Sequence, residues 1–170
     1  MSEARLFADL EGLGIGWTAL EHAAVFTVEE SEAIHGAMPG AHTKNLFLKD
    51  AGGAFFLVTV DHRTRVDLKA LAGVIGAKKL SFGKAEPMTD LLGVTPGSVT
   101  PLAAINAAPG AIGVVIDERL AAAPVVNVHP LRNTATIGLS GADLLRALGH
   151  WGHRPQIAVI PERPQTDEAP

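Results

Sequence analysis

The sequence predicts an α+β domain, a mixed and largely antiparallel sheet with helices packed on it. Three observations predict it. Strand-like apolar runs outnumber helical runs and often follow one another directly. Two of them, Leu46-Phe47-Leu48 and Ala54 to Val60, flank Gly52-Gly53, which reads as a hairpin turn. Helical runs with capping residues are interspersed among the strands.

Taken in order, Ser2 caps a first helix whose Leu6, Phe7, Leu10 and Leu13 keep helical spacing, and Gly14 and Gly16 end it. Trp17 to Leu20 is a short strand. Thr27-Val28-Glu29-Glu30 forms a capping box that opens an acidic helix through Ile34, ending near Gly36. The organising segment is His42 to Asp50, where a cation and an amide, Lys44 and Asn45, stand at the mouth of the apolar strand. Asp67 caps a helix with Leu68, Leu71, Ala72 and Ile75 on one face. Lys79 to Phe82 is a strand and Pro87 to Leu92 a short helix. Gly93 to Pro101 is a loop with two prolines and two glycines. Three strands follow, Ile112 to Asp117, Val125 to His129 and Thr134 to Leu139. Ser140 caps a last helix, Ala142 to Leu148, and Gln156 to Ile160 is the final strand. The reading is one domain over residues 1–160 and a disordered polar tail over 161–170.

Composition narrows the function classes. The 170 residues carry a net charge of −4, which disfavours coating of long nucleic acid by counterion release but leaves a short nucleic-acid end open. There are no cysteines, so thiolate metal sites, disulfides and cysteine nucleophiles are excluded. No run is long and apolar enough to span a bilayer, and the start lacks a secretory pattern, so the expectation is a soluble, cytoplasmic protein. Charge is uneven, however. From Lys44 to Lys84 there are eight Lys or Arg and three Asp, a net +5 that suits a phosphate backbone of limited length.

Common catalytic signatures are missing. There is no His-Glu-x-x-His, no Gly-x-Ser-x-Gly elbow and no phosphate-cradling Gly-x-x-x-x-Gly-Lys. Three features remain. One is the Lys44-Asn45 strand mouth. Another is the Gly93 to Pro101 loop, whose glycines permit close backbone approach and whose prolines fix its shape. The third is His129-Pro130-Leu131-Arg132-Asn133, which sets imidazole, guanidinium and amide together at a strand end.

The motifs His-Thr-Lys-Asn-Leu-Phe-Leu-Lys-Asp (42–50), Gly-Ser-Val-Thr-Pro (97–101) and His-Pro-Leu-Arg-Asn-Thr-Ala-Thr (129–136) occur in that order. Together they resemble the YbaK/prolyl-tRNA synthetase-associated editing domains, nearest to the freestanding alanyl-specific ProXp-ala branch. Glu21 to Glu30 resembles that branch more than the cysteinyl-specific one. The match spans nearly the whole chain.

The resemblance implies the same sheet-and-helix fold and a deacylase that hydrolyses alanine wrongly attached to proline tRNA, with no metal or organic cofactor. Its partners would be the acceptor end of tRNA(Pro) and, transiently, prolyl-tRNA synthetase. The family's Thr-Lys-Asn lysine and asparagine map to Lys44 and Asn45, the loop to Gly97 through Pro101, and the His-Pro histidine to His129, so the resemblance implies Lys44, Asn45, Gly97, Ser98 and His129 as the catalytic set. Loop amides around Gly97 and Ser98 are expected to accept the developing oxyanion. Lys44 is assigned to the terminal phosphate or the substrate's polar groups as a point charge, and His129 to shaping and orienting the pocket. Thr43, Pro101 and Asn133 are placed in the substrate-binding set, and Val28, Ile34 and Val128 are expected as walls of a pocket sized for alanine. Val128 stands where many relatives carry an aromatic residue, which leaves the amino-acid preference open. Two other classes fit the same residues: a deacylase of this fold acting on cysteinyl- or seryl-tRNA, and a non-catalytic aminoacyl-tRNA binding protein.

Overall fold

The computed structural model describes residues 3–25 and 28–164, without the side chain of Val28. The expected caps at Ser2 and Thr27 and the segment 165–170 lie outside the described residues. The elements are α1 (Glu3–Gly12), β1 (Thr18–Glu21), α2 (Val28–Ala37), β2 (Ala41–Asp50), β3 (Phe55–Asp61), α3 (Leu68–Ile75), β4 (Leu80–Phe82), α4 (Ala85–Leu92), β5 (Gly113–Asp117), α5 (Glu118–Ala121), β6 (Val126–Val128), β7 (Ala135–Leu139), α6 (Gly141–His150) and β8 (Gln156–Ala158). Two 3-10 helices, Pro96–Ser98 and Pro101–Asn106, occupy the segment expected as a plain loop and its continuation.

The strands form one mixed sheet in the order β1-β7-β6-β2-β3-β5-β8, with β4 also on β2. Four of the seven pairings are antiparallel; β2–β6, β3–β5 and β5–β8 are parallel. The β2–β3 hairpin forms as its sequence predicts. Gly53 turns at φ +93°, and the Asp50 carboxylate accepts from the amides of Gly52, Ala54 and Lys78. Those backbone donors, led by Lys78 and Ala54, outweigh burial and hold the Asp50 carboxyl below the usual range.

Alternation along β2 and β3 sorts side chains to two faces. Phe47 and Leu57 join the larger core, with Leu6, Leu10, Leu92, Leu102, Ile116, Val128 and Leu144. Leu48, Val58 and Val60 join a second core with Leu71, Ile75, Leu80 and Val115. Both faces of the central strands are therefore covered, which suits their parallel neighbours.

The decisive feature lies on one edge of β2. β6 pairs with it only at Ala41 and His42, and β4 only from Leu48 to Asp50. Thr43 to Phe47 therefore has a strand partner on the β3 side alone. The ladder also corrects the expected start of this strand: β2 begins at Ala41, so Lys44 sits within it, opposite Val60, and not at its mouth. Polar residues are tolerated there because their side chains bond across the opening. The Thr43 hydroxyl donates to the Asn127 carbonyl at 2.8 Å, and the Asn45 amide to the Val99 carbonyl at 3.2 Å.

Other departures are local. α4 starts at Ala85, which places Pro87 inside its first turn, where proline lacks no needed donor. β8 ends at Ala158. Ordered chain continues past residue 160: the Asp67 amide donates to the Pro161 carbonyl, and the Arg163 amide to the Arg65 carbonyl. The caps at Asp67 and Ser140 form, each side-chain oxygen accepting an amide three residues on, from Ala70 and Asp143.

Two glycines of α6 should respond oppositely to alanine. A Cβ at Gly141 would run into the Leu120 and Ala121 carbonyls, whereas one at Gly149 would enter open space. Gly141→Ala should cost ~3 kcal/mol, and Gly149→Ala should gain about 0.5–1 kcal/mol from helix propensity, both read as shifts in a urea unfolding midpoint.

Candidate functional site

A cavity of about 190 Å³ opens beside the unpaired edge of β2. Its lining comes from four directions: His22 and Val25 after β1; Ser31, Ile34 and His35 of α2; His42, Thr43 and Asn45 of β2; and Asn127, Val128, His129 and Thr136 on and beside β6 and β7. Val25, Ile34 and Val128 supply apolar wall. No Asp or Glu is among these residues.

The imidazoles are fixed by their partners. His129 Nδ1 lies 2.9 Å from the Ala135 carbonyl, which can only accept, so Nδ1 carries the proton and Nε2 is left as a bare acceptor. Burial, more than the opposing bond to Ala135, pushes the His129 pKa down and keeps the ring neutral. His22 donates through Nδ1 to the Ala23 carbonyl and through Nε2 meets the Thr136 hydroxyl, both at 2.8 Å. The two rings are 6.4 Å apart between centroids.

A second group of rings lies along α2. His35 stacks on His42 at 4.1 Å and meets His62 edge-on at 4.4 Å. His42 Nε2 donates to the Met38 carbonyl at 2.9 Å, so the Asn127 amide 3.4 Å from that nitrogen faces another donor; Asn127 bonds instead to the Pro39 and Ala41 carbonyls. Among the described residues no group of three or more His, Asp or Glu side chains is arranged to hold a metal ion.

The residues expected from sequence separate into three places. Ile34, Thr43, Asn45, Val128 and His129 meet in the cavity. Asn45 is not a free donor there: its amide holds the Val99 carbonyl and its Oδ1 accepts from the Thr59 hydroxyl at 2.6 Å. Gly97, Ser98 and Pro101 form the adjoining loop, pinned to β2 through that Val99 contact. Asn133 comes against Gly97, its Nδ2 lying 3.3 Å from where a Cβ would be. The Ser98 amide is already committed to the Thr95 carbonyl, which leaves Gly97 as the amide donor of the expected pair.

Lys44 lies elsewhere. Thr43 and Asn45 line the cavity, while Lys44 borders a different groove with Leu46, Val66, Leu68, Phe82 and Arg163. Its pKa is lowered, by burial first and then by Arg163 and Arg65, against the pull of Asp61. The side chain of Val28 lies outside the described residues. Arg132, grouped with His129 in the sequence, turns away to bind Glu3 at 2.6 Å, Glu21 at 2.6 Å and the Thr134 hydroxyl. It ties α1 and β1 to the turn that carries His129, and Leu131 in that turn adopts φ +72°. Sequence reasoning passed over His22, Val25, Ser31, His35, His42, Asn127 and Thr136, although the spacing of His22, His35 and His42 was visible.

The ring stack has a pH signature. Burial, then His42 and His62, push the His35 pKa down to about 4, with Asp61 opposing. The unfolded chain binds that proton near pH 6.5, so this contribution to stability is complete above ~6.5 and lost as pH falls from there to about 4. Imidazole NMR should place the His35 midpoint near 4, and His35→Gln should flatten the fall in Tm across that window.

Comparison with known proteins follows the same lines. Residues 22–147 match the family described as "Aminoacyl-tRNA editing domain". The prolyl-tRNA editing protein ProX of Acetoanaerobium sticklandii is 39% identical over 140 residues, covering 82% of this chain and 85% of that one. The prolyl-tRNA synthetase associated domain-containing protein 1 of Danio rerio is 38% identical over 150 residues, covering 87% and 82%. A solved structure described as a candidate trans-editing enzyme for prolyl tRNA synthetase has the same fold, with a TM-score of 0.69 at 24% identity over 94% of this chain and 98% of that one. From the matched segment, which contains every cavity residue, the chain belongs to the aminoacyl-tRNA editing domain family.

Proposed function

We propose that the protein is a trans-editing hydrolase that removes alanine from mischarged tRNA(Pro), breaking the aminoacyl ester with water to give free alanine and uncharged tRNA. The observation that carries this reading is the cavity: small, walled by Val25, Ile34 and Val128, edged by His35 and His129 with lowered pKa values, and with no carboxylate among its lining residues. The name of the Acetoanaerobium sticklandii relative supports the tRNA assignment.

The ester is already activated, so positioning and charge stabilisation suffice. Water attacks the carbonyl carbon, the carbonyl oxygen becomes the oxyanion, and collapse expels the ribose oxygen, which takes up a proton. Gly97 is the donor we assign to the oxyanion. His129 Nε2, a bare acceptor, orients the substrate's ammonium or the attacking water. No carboxylate base lines the cavity, so the neighbouring ribose hydroxyl of the substrate is the group we assign to placing that water. Lys44, on the other face of β2, serves the tRNA phosphates and not the ester itself.

Alanine is selected by size. A wall that admits a methyl excludes the proline ring by overlap, whereas contacts to one methylene discriminate by only ~1–3 kcal/mol. Ile34→Ala and Val128→Ala should therefore raise deacylation of larger aminoacyl-tRNAs relative to alanyl-tRNA, by about tenfold in the ratio of kcat/KM. Assays with alanyl-, cysteinyl-, seryl- and prolyl-tRNA(Pro) check both the preference and the turnover. A ratio that neither truncation moves would refute the wall assignment, and binding without hydrolysis of any ester would refute the enzyme.

A further inference from the structure

On the face of β2 opposite the cavity, Lys44, Leu46, Val66, Leu68, Phe82 and Arg163 enclose a groove of about 310 Å³. Three properties set it apart from an ordinary solvated face. The first is aromatic. Phe82, paired across the ladder with Leu48, is 65% exposed although the floor beside it is apolar. The second is charge. Arg163 and Arg65 are brought together by the backbone bond between them and both act on Lys44. Among the described residues none of these three cations forms an ion pair. The nearby carboxylate, Asp61, is held by the Arg63 amide and guanidinium. Asp61 offsets the mutual repulsion of these cations only in part, and an anion in the groove relieves the rest. The third is position. The chain neighbours of Lys44, Thr43 and Asn45, line the cavity, so the two sites share the thickness of one strand.

A flat aromatic face beside cations on an apolar floor is the chemistry that holds single-stranded nucleic acid, with bases stacked and phosphates neutralised. We propose that this groove binds the unpaired 3′ end of the tRNA, one base stacking on Phe82 and the phosphates lying along Lys44, Arg65 and Arg163. The strand then rounds the open edge of β2 to deliver its ester into the cavity. This rests on the cavity being the ester-hydrolysing site.

The test uses the full chain and a fluorescently labelled, uncharged RNA hexamer ending in CCA, with binding read by anisotropy across a salt series. Phe82→Leu should weaken binding about tenfold without altering the salt slope, since it removes stacking alone. Arg163→Gln should weaken it and reduce the slope by ~0.7, the value for one phosphate contact on a single strand. Both residues are surface-exposed, and unchanged melting temperatures will confirm folding. With alanyl-tRNA(Pro), the loss in both variants should fall on KM and not on kcat. Variants that bind the hexamer and the tRNA as the wild type does overturn the groove, as does a wild type that does not bind the hexamer at low salt. Hydrolysis of 3′-O-alanyl-adenosine by the wild type, a substrate with no phosphate and no upstream base, tests the cavity alone. Failure there with the hexamer results intact rejects the hydrolase reading and keeps the groove.

Discussion

The structure depends on β2 being paired along only part of one edge. β6 leaves it after His42 and β4 joins it at Leu48, so between them one edge of a central strand has no strand partner. Backbone polar groups away from water require partners, and here side chains and a loop provide part of that closure. Thr43 reaches across to Asn127, Asn45 holds the Val99 carbonyl, and the Gly83 amide meets the Phe47 carbonyl. The same opening makes room for the cavity. A fully paired β2 would have left no concavity between α2, β6 and the 97–101 loop.

Within that cavity, charge is kept out by arrangement. Protonation of His129 is opposed by burial, and that of His35 by burial and by its imidazole neighbours. A lining without Asp or Glu suits a reaction in which the substrate brings its own reactivity and the protein contributes shape. Three carboxylates outside the lining are turned to other tasks. Glu3 and Glu21 clamp Arg132, and Asp61 holds Arg63. Removing that clamp would loosen the turn from which His129 projects, without touching the cavity directly.

Much of this was legible in the residues, and the parts that were not share a cause. The Gly52-Gly53 hairpin, the caps at Asp67 and Ser140 and the apolar period of α3 are local signals read over a few residues, and they appear where expected. The true start of β2 was hidden because His42 to Asn45 is polar, and its strand character comes from partners distant in sequence. The short α5 and the 3-10 turn at Pro101–Asn106 carry too few residues for a periodic pattern to show. Of the site, motif residues such as Thr43, Asn45, Val128 and His129 were found. His22, Asn127 and Thr136 were not, because only the pairing order β1-β7-β6-β2 brings them to it.

The alternation of Lys44 between Thr43 and Asn45 has a further meaning. From Thr43 to Leu46 the strand works as a partition with a fixed count: odd positions serve one chamber and even positions the other. Changing a side chain here alters one chamber and spares its neighbour. Changing the length by a single residue would instead exchange the two, turning an ammonium into the histidine-lined chamber and an amide into the one bordered by Lys44 and Arg163. This stretch is thus more tolerant of altered chemistry than of altered length, a rigidity imposed by the geometry of a pleat.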